Sequence, residues 1–436
     1  MVLKGGSSVW LVWLSLIATI LAVMVVILGA YTRLVHAGLG CPDWPTCYGH
    51  LWIPQSAQEI TQANQAFSET PVETDKTWPE QIHRLFASSL GLVCLILLAG
   101  AWRVARQCNA IKQDEWILLG LLIILVSATV ARMVVGDYLD SLLVVISCGY
   151  FIWWGKALLT KGREIVPLQH SFLLAGLVVL QGLFGMWTVT LKLWPQVVTV
   201  HLLGGFSSLT LLWLLHRRWW ALNVWVYSQY KDTHNITSLK KMPNIYDGIT
   251  NHKLFLLTVF VVCLVIFQIG LGGWTSANYA AMACPDFPLC QQQWLPATDF
   301  QQGFNFTQAV GPNYLGGLMD GPARTAIHLV HRLGAVILSS AICYLFLQLW
   351  RSRDRVLRRF GLLILVVLFF QVGLGVSNVV FSLPLPIAVM HNAVGALLLM
   401  TVSTLALKLR PLPILADDLH AQEQVTKQAT ILKIST

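Results

Sequence analysis

Long runs of apolar residues, separated by polar segments, dominate this sequence of 436 residues. A helix needs about 20 mostly apolar residues to cross a bilayer, because lipid offers its backbone no hydrogen-bond partners. The expected fold class is therefore an all-α integral membrane protein with about ten transmembrane helices. We predict these helices at roughly 9–30, 81–103, 116–134, 138–158, 170–191, 196–216, 254–274, 326–350, 360–380 and 387–407.

The composition excludes the main alternatives to a membrane protein. Apolar residues make up 56% of the chain and charged residues only 11%. A soluble domain is about 45–50% apolar and about 25% charged. A soluble enzyme, a disordered chain and a fibrous repeat are therefore all excluded.

The net charge of +9 is explained by topology. If the N-terminus is cytoplasmic, 22 of the 29 Lys and Arg residues fall in cytoplasmic segments and seven fall outside or at the outer helix ends. Cytoplasmic loops of membrane proteins hold such an excess of basic residues. We therefore expect both termini to be cytoplasmic, in a bacterial inner membrane, and we expect no nucleic-acid partner.

Two halves of the chain resemble each other. The segment CPDWPTC at 41–47 recurs as CPDFPLC at 284–290, and each is followed by a helix that carries the triplet His-Arg-Leu. Each half ends with a helix containing Gln and Gly, which leads into a helix with a histidine near its start. This pattern predicts two parallel-repeat four-helix bundles, with an extra helix pair at about 116–158 inserted in the first.

The repeat suggests a division of the chain into four parts. Residues 1–225 form the N-terminal half, and 226–253 form a cytoplasmic linker. Residues 254–410 form the C-terminal half, and 411–436 form a polar cytoplasmic tail.

Four histidines recur at one predicted depth near the outer ends of the helices: His83 and His201 in the first half, His331 and His391 in the second. Two histidines from two helices of one bundle are typical of a bis-imidazole haem site. Zinc is the weaker alternative, because it usually takes four ligands. The remaining alternative is a set of packed polar groups near the interface. His36, which borders the outer cap, is a further candidate.

Arginines stand beside two of these histidines. Arg84 follows His83, and Arg332 follows His331. An arginine can bind a haem propionate through two hydrogen bonds, so we predict a propionate-binding role for both. The alternative is that each side chain extends towards lipid headgroups.

The two halves differ at one position of the predicted sites. Glu80 lies three residues before His83, whereas His328 occupies the matching position in the second half. A carboxylate near the bound ring could stabilise a developing cation or transfer a proton. The alternative is a charge that only favours the helix N-terminus.

The two cysteine pairs fall in the predicted outer loops. An oxidising compartment allows disulfides to persist, so we predict the bonds Cys41–Cys47 and Cys284–Cys290, each holding a cap over its site. A redox role for the first pair is the alternative reading.

Together these residues resemble the haem A synthase family. The resemblance rests on the Glu80-x-x-His83-Arg84 motif, the CPDWPTC loop, the duplicated unit and the later histidines, and it covers about residues 10–408. It implies a haem-dependent oxidoreductase that oxidises the C8 methyl group of haem O to a formyl group, giving haem A for cytochrome oxidase.

The resemblance also implies roles for single residues. His83 and His201 would hold the substrate, haem O, and Glu80 would be the catalytic carboxylate. His331 and His391 would ligate a haem b cofactor. Haem O synthase, cytochrome oxidase assembly factors and an unidentified electron donor would be partners.

One departure from the family pattern concerns residues 116–158. The second and third helices of the family are normally adjacent, so this insertion leaves the oligomeric state open, including a homo-oligomer.

Two other classes of membrane protein compete with this interpretation. A dihaem b-type electron-transfer protein, such as a quinol-oxidising cytochrome b, also needs paired histidines. Here all four histidines lie towards the outer side, which argues against two haems that transfer electrons across the membrane. A transporter built from parallel repeats would be expected to carry charges at mid-membrane, and the predicted spans have almost none.

Overall fold

The computed structural model describes residues 9–108, 110–160, 166–231 and 252–409. Most of the predicted linker 226–253 and all of the tail 411–436 lie outside these ranges. Over the described residues the chain is organised almost wholly as α-helices.

The ten predicted spans are confirmed, because ten of these helices are long and apolar enough to cross a membrane. The chain is an integral membrane protein. The long helices are α1 (Val9–Leu34), α3 (Thr74–Gln107), α4 (Gln113–Val135), α5 (Asp140–Thr160), α6 (Leu168–Thr190), α7 (Pro195–Lys231), α8 (His252–Ala277), α10 (Gly321–Trp350), α11 (Arg355–Val380) and α12 (Leu385–Leu409). Two short helices, α2 (Ala57–Ala66) and α9 (Phe300–Gly303), lie in the loops.

Several helices extend beyond the predicted spans. Helix α3 begins at Thr74 rather than at 81, and α7 continues to Lys231 rather than ending at 216. Apolar runs mark only the part of a helix that lipid surrounds, whereas the helical hydrogen bonds continue into polar sequence. His83, the third residue of the predicted span 81–103, is therefore preceded by two turns of α3.

Eight of the long helices form two four-helix bundles that lie side by side. In the first bundle α1, α3, α6 and α7 pack in a ring, and in the second α8, α10, α11 and α12 do the same. The bundles meet where α7 packs on α8 and where α12 packs on α1 and α7. This arrangement is compatible with a duplicated four-helix unit.

The inserted helices α4 and α5 pack against each other and against α6. A buried polar link attaches them to the first bundle, because Nε2 of Gln169 on α6 donates to Oε1 of Glu115 on α4 at 2.8 Å. Tyr150 on α5 adds a hydrogen bond of 2.6 Å to the backbone carbonyl of Phe172. Helices α4 and α5 are thus fixed to the outside of the first bundle rather than placed within it.

The two loops that carry the disulfides, 35–73 and 278–320, lie at the same end of the two bundles, which we call the cap face. Backbone conformations recur between these loops. Residues His36 and Tyr48 have positive φ angles of 58° and 55°, and their counterparts Tyr279 and Gln291 have 55° and 53°. Matching backbone conformations at matching positions indicate that the two caps are folded alike.

Candidate functional site

The four predicted ligand histidines lie in two pairs, one in each bundle. His83 on α3 and His201 on α7 are on helices that share α1 and α6 as neighbours but have no contact with each other over the described residues. They therefore lie on a diagonal of the first bundle. His331 on α10 and His391 on α12 occupy the same diagonal of the second.

A glycine on a neighbouring helix faces each of these rings. A Cβ atom on Gly29 of α1 would lie 2.9 Å from Cε1 of His83, and one on Gly375 of α11 would lie 3.0 Å from Cε1 of His391. Gly272 and Gly185 face the other two rings in the same way, at 3.2 Å from His331 and 3.5 Å from His201. Each imidazole therefore lies against bare helix backbone. A Cβ atom would crowd His83 and His391 most, whereas at Gly185 it would make an ordinary contact with His201.

The donor groups of the first bundle fit a haem held by two imidazoles. The backbone of Val25 hydrogen-bonds to His83, whereas Nδ1 of His201 is buried and has no hydrogen-bond partner. An unsatisfied buried polar group costs about 1–3 kcal/mol, so the His201 ring is poorly satisfied without a further ligand. Within the described residues, no three His, Cys, Asp or Glu side chains gather as a zinc site would require.

Glu80 lies one helical turn from His83 and points towards the cap. Its side chain is buried, with 4% of the residue exposed. Oε2 accepts a hydrogen bond of 2.9 Å from the backbone N–H of Cys41, and Oε1 pairs with Arg84. The alternative that Glu80 is only a charge at a helix start does not explain this burial, because a buried carboxylate is costly unless it is paired.

His328 takes the place of Glu80 in the second bundle. It is also buried, and its Nδ1 lies 3.0 Å from the backbone carbonyl of Ala280. The second site therefore has an imidazole bound to a loop carbonyl at the position where the first has a carboxylate. This is the main chemical difference between the two sites.

Both arginines beside the ligand histidines bind the cap loops. Arg84 donates to the backbone carbonyls of Asp43 at 2.7 Å, Thr46 at 2.9 Å and Cys41 at 3.2 Å. Arg332 donates to those of Leu289 at 2.8 Å, Asp286 at 2.8 Å and Cys284 at 3.0 Å. Each guanidinium thus links the helix that carries a candidate ligand histidine to the neighbouring disulfide loop. Propionate binding by Arg84 and Arg332 remains a prediction.

The two predicted disulfides, Cys41–Cys47 and Cys284–Cys290, are both present. In each disulfide loop, an aspartate side chain accepts hydrogen bonds from backbone N–H groups of the same loop. Asp43 accepts from the backbone N–H groups of Tyr48 at 2.6 Å and Gly49 at 2.8 Å. The corresponding Asp286 accepts from two backbone N–H groups in the same way. The caps are therefore rigid loops held by covalent and polar contacts.

His36 lies between the two bundles at the cap face, where its ring stacks on that of Tyr279 with 5.5 Å between centroids. Arg33 donates to the Tyr279 hydroxyl at 2.7 Å and to the carbonyl of Ser276 at 2.6 Å. Burial lowers the pKa of His36 below its ordinary value, and the charges of Arg33 and Lys76 lower it further. The ring thus lies in the contact between the two halves.

The sequence pattern predicts the histidines as candidate ligands but not the residues that surround them. A glutamine precedes three of the four facing glycines by four residues, in the pairs Gln181–Gly185, Gln268–Gly272 and Gln371–Gly375. This recurring spacing was the available signal, because four residues make about one helical turn.

Comparison with known proteins agrees with this architecture. A family model described as "Cytochrome oxidase assembly protein" matches residues 12–137 and 136–403. The protein of Shewanella oneidensis named Heme A synthase is 35% identical over 395 residues, which cover 91% of this chain and 95% of that protein.

Two further proteins named Heme A synthase are more distant. That of Caulobacter sp. (strain K31) is 26% identical over 406 residues, or 91% of this chain and 95% of its own length. That of Halalkalibacterium halodurans is 21% identical over 384 residues, or 87% and 90%. With matches that run through both bundles and both caps, the chain belongs to the haem A synthase family of cytochrome oxidase assembly proteins.

Proposed function

We propose that this chain is the oxidoreductase that converts haem O to haem A by oxidising the C8 methyl group to a formyl group. The observation that carries the proposal is the difference between two otherwise similar sites. The first bundle has the buried carboxylate of Glu80 one turn from His83, and the second has His328 there. A substrate site needs a proton-accepting group, whereas a site that only holds a cofactor does not.

In the first bundle, His83 and His201 hold the substrate haem from opposite sides. The helix diagonal separates the two rings, and the facing glycines Gly29 and Gly185 set their positions. The substrate is thereby oriented with one edge towards Glu80 and the cap.

Glu80 is the catalytic carboxylate. Oxidation of a methyl group to a formyl group replaces two hydrogens by one oxygen; written with water as the oxygen source, it releases four protons and passes four electrons to an external electron acceptor. Protons must therefore leave the reacting carbon. A carboxylate at this place can accept such a proton or stabilise a developing positive charge. The N–H of Cys41 and the guanidinium of Arg84 hold its two oxygens, which fixes its orientation.

In the second bundle, His331 and His391 ligate a haem b. When bound there, this haem supplies a redox centre that exchanges electrons with a donor or acceptor outside the protein. His328 is held by the carbonyl of Ala280, one turn from the ligand His331.

The cap face is the outer face of the membrane, and both termini are cytoplasmic. The excess of basic residues in the other set of loops supports this orientation. Arg84 and Arg332 sit at the outer edge of each site, where they hold the caps and also lie within reach of propionates. The functional units are 1–225 and 254–410, joined by the linker 226–253.

The proposed partners follow from the reaction. Haem O synthase supplies the substrate, assembly factors of cytochrome oxidase receive the product, and an electron-transfer partner completes the cycle. A homo-oligomer is compatible with the exposed outer surface of α4 and α5.

The proposal is tested in a host that makes haem O but has no haem A synthase of its own. Haems are extracted from membranes that contain the wild-type chain and are separated by chromatography. We expect haem A in this extract. Its absence, with the protein present at normal levels in the membrane, would overturn the proposal.

Two variants test the role of Glu80. Glu80→Gln keeps an acceptor for the Cys41 N–H but removes the charge, and we expect it to abolish haem A while leaving the b-type spectrum. Glu59→Gln is the matched control, because this partly exposed carboxylate only caps α2. Wild-type haem A levels in Glu80→Gln would show that another group does the chemistry.

A further inference from the structure

The turn that precedes the second ligand histidine has the same conformation in both halves. It joins α6 to α7 in the first half and α11 to α12 in the second. Leu193 and Leu383 hold matching places in these turns, with positive φ angles of 61° and 62°. His201 and His391 follow at the same spacing, each in the second turn of the next helix. The two turns therefore differ in their contacts rather than in their own backbone.

A segment of the second cap crosses to the first half and binds its turn. We call this segment, residues 306–314, the strap. Three hydrogen bonds join the strap to the turn: Nε1 of Trp194 donates to the Gln308 carbonyl at 3.2 Å, Nε2 of Gln196 to the Phe306 carbonyl at 3.1 Å, and the Tyr314 backbone N–H to the Lys192 carbonyl at 3.0 Å. The start of α7 is therefore held by the other half of the chain.

The strap is itself attached beside the second site. The ring of Phe306 packs on that of Trp274, with 4.9 Å between the ring centroids. Trp274 lies on α8, two residues after Gly272, which faces His331. The strap thus connects the surroundings of a ligand in the second bundle with the helix that carries a ligand in the first.

The second half lacks the groups that make these contacts. Pro384 and Pro386 stand where the first half has Trp194 and Gln196, and a proline side chain donates no hydrogen bond. The loop between α2 and α3 is also shorter than the loop between α9 and α10. Over the described residues, no hydrogen bond joins the first cap to the turn between α11 and α12. The connection therefore runs in one direction, from the second cap to the first bundle.

We propose that Trp194 and Gln196 are positioning residues of the substrate site, through which the strap fixes the orientation of His201. Helix ends open at low free-energy cost unless other groups hold them. The carbonyl of Trp194 accepts from the N–H of Val198 at 3.1 Å, so a residue bound by the strap begins the helix that carries His201. This inference rests on the proposed function, because that function assigns His201 to the substrate haem.

The different tasks of the two bundles explain why one of them has the strap. A reacting haem must meet its catalytic group with an error of about 0.5 Å or less, and here that group is Glu80. Contacts around a ligand imidazole set the orientation of its ring and hence of the group that it holds. A resident haem needs only to be retained, so the second bundle requires no such connection to the first cap.

The test follows the binding of haem O to purified protein that carries its resident haem b. The titration is anaerobic and contains no electron acceptor, so that no haem A is formed. Gln196→Leu removes one donor, and Trp194→Phe removes the other while keeping an aromatic ring. We expect the double variant to bind haem O about tenfold more weakly, because two typical hydrogen bonds correspond to about one order of magnitude in binding.

A spectroscopic measurement separates positioning from general stability. The g values of a low-spin haem with two imidazole ligands depend on the angle between the two ring planes. We expect the electron paramagnetic resonance signal of haem O to shift in the double variant, while that of haem b stays at its wild-type position. Gln196→Lys keeps a donor and should retain the wild-type haem O signal. Gln301→Leu, on the exposed surface of α9 in the same cap, is the matched control and should change neither signal.

A double-mutant cycle tests the strap itself. Phe306→Ala removes the ring contact with Trp274 and changes no residue of the first half. If the strap acts through Gln196, the effects of Phe306→Ala and Gln196→Leu on haem O affinity should be less than additive, because each interrupts the same connection. Effects that add in full would contradict the role of the strap.

The outcomes for the inference and for the proposed function are distinct. An unchanged haem O affinity and signal in the variant with Trp194→Phe and Gln196→Leu would overturn the inference alone. An equal shift of both haem signals would do the same, because it would indicate a general structural change. A wild-type protein that binds no haem O would overturn the proposed function, and this inference with it.

Discussion

The backbone N–H of Cys41 donates to Oε2 of the buried Glu80 at 2.9 Å. A residue of the disulfide loop therefore orients the carboxylate that lies one turn from His83. In the second half no carboxylate depends on the loop, because His328 binds the carbonyl of Ala280. The two disulfides thus have different consequences for chemistry although their loops are alike.

We predict that loss of the first disulfide reduces activity more than loss of the second. Closure of so short a loop contributes about 2–3 kcal/mol to stability in either half. Cys41→Ser with Cys47→Ser also releases the donor that holds Glu80, whereas Cys284→Ser with Cys290→Ser releases no catalytic group. Haem A per unit of folded protein, measured by chromatography, separates the two. Equal losses in both double variants would contradict this.

We predict that alanine at the facing glycines disturbs one haem site at a time. In Gly29→Ala the new Cβ lies 2.9 Å from His83, so substrate haem binding should fall while haem b is retained. Gly375→Ala should do the reverse, because its Cβ lies 3.0 Å from His391. Haem content by type is the measurement. Gly120→Ala, on the open surface of α4, is the control and should change neither.

We predict a pH dependence of stability from His36. Its pKa in the folded protein is lowered from 6.5, mainly by burial and then by Arg33. The unfolded chain therefore takes up the proton first, so stability is full above about pH 6.5 and falls as the pH drops through the folded-state pKa. Thermal unfolding at pH 7 and pH 5 should show a smaller decrease in His36→Gln than in the wild type.

The matched control for this pH effect is His252→Gln, at the exposed start of α8. We expect its unfolding temperature to depend on pH as in the wild type. An identical pH dependence in His36→Gln and the wild type would exclude His36 as the titrating group.

We predict that the inserted helices stabilise the first bundle without entering its chemistry. Glu115→Ala removes the acceptor of two hydrogen bonds, one from the Gln169 amide and one from the backbone N–H of Lys112, each 2.8 Å long, which should cost about 1–3 kcal/mol. Lower thermal stability with haem A formation retained per folded molecule is expected. Loss of activity in molecules that remain folded would assign the insertion a part in the reaction.

The sequence was sufficient to predict the membrane helices because lipid imposes a simple length and polarity requirement on each. It was less informative about helix ends, since α3 and α7 continue into polar segments that hydropathy does not mark. The histidines and Glu80 could be chosen because polar groups are rare in such a chain.

The residues that surround the histidines and Glu80 could not be predicted from the sequence in the same way. The contact between Gly29 and His83 depends on which helices are neighbours and how they are rotated, and a glycine in an apolar helix has no polar signature of its own. Likewise, the carbonyl partners of Arg84 depend on the backbone path of the cap. The glutamines are the exception, because Gln268 and Gln371 share a regular spacing with their glycines.

The stack of His36 on Tyr279 has a consequence for the symmetry of the molecule. These residues hold corresponding positions in the two halves, as do Arg33 and Ser276, so the approximate twofold axis passes between them. In a dimer of identical subunits each residue on the axis would meet its own copy, and arginine would face arginine. Because one chain carries both halves, each side of this contact can hold a different residue. Covalent linkage of the two halves thus permits different residues at corresponding positions, and different functions of the two bundles depend on such differences.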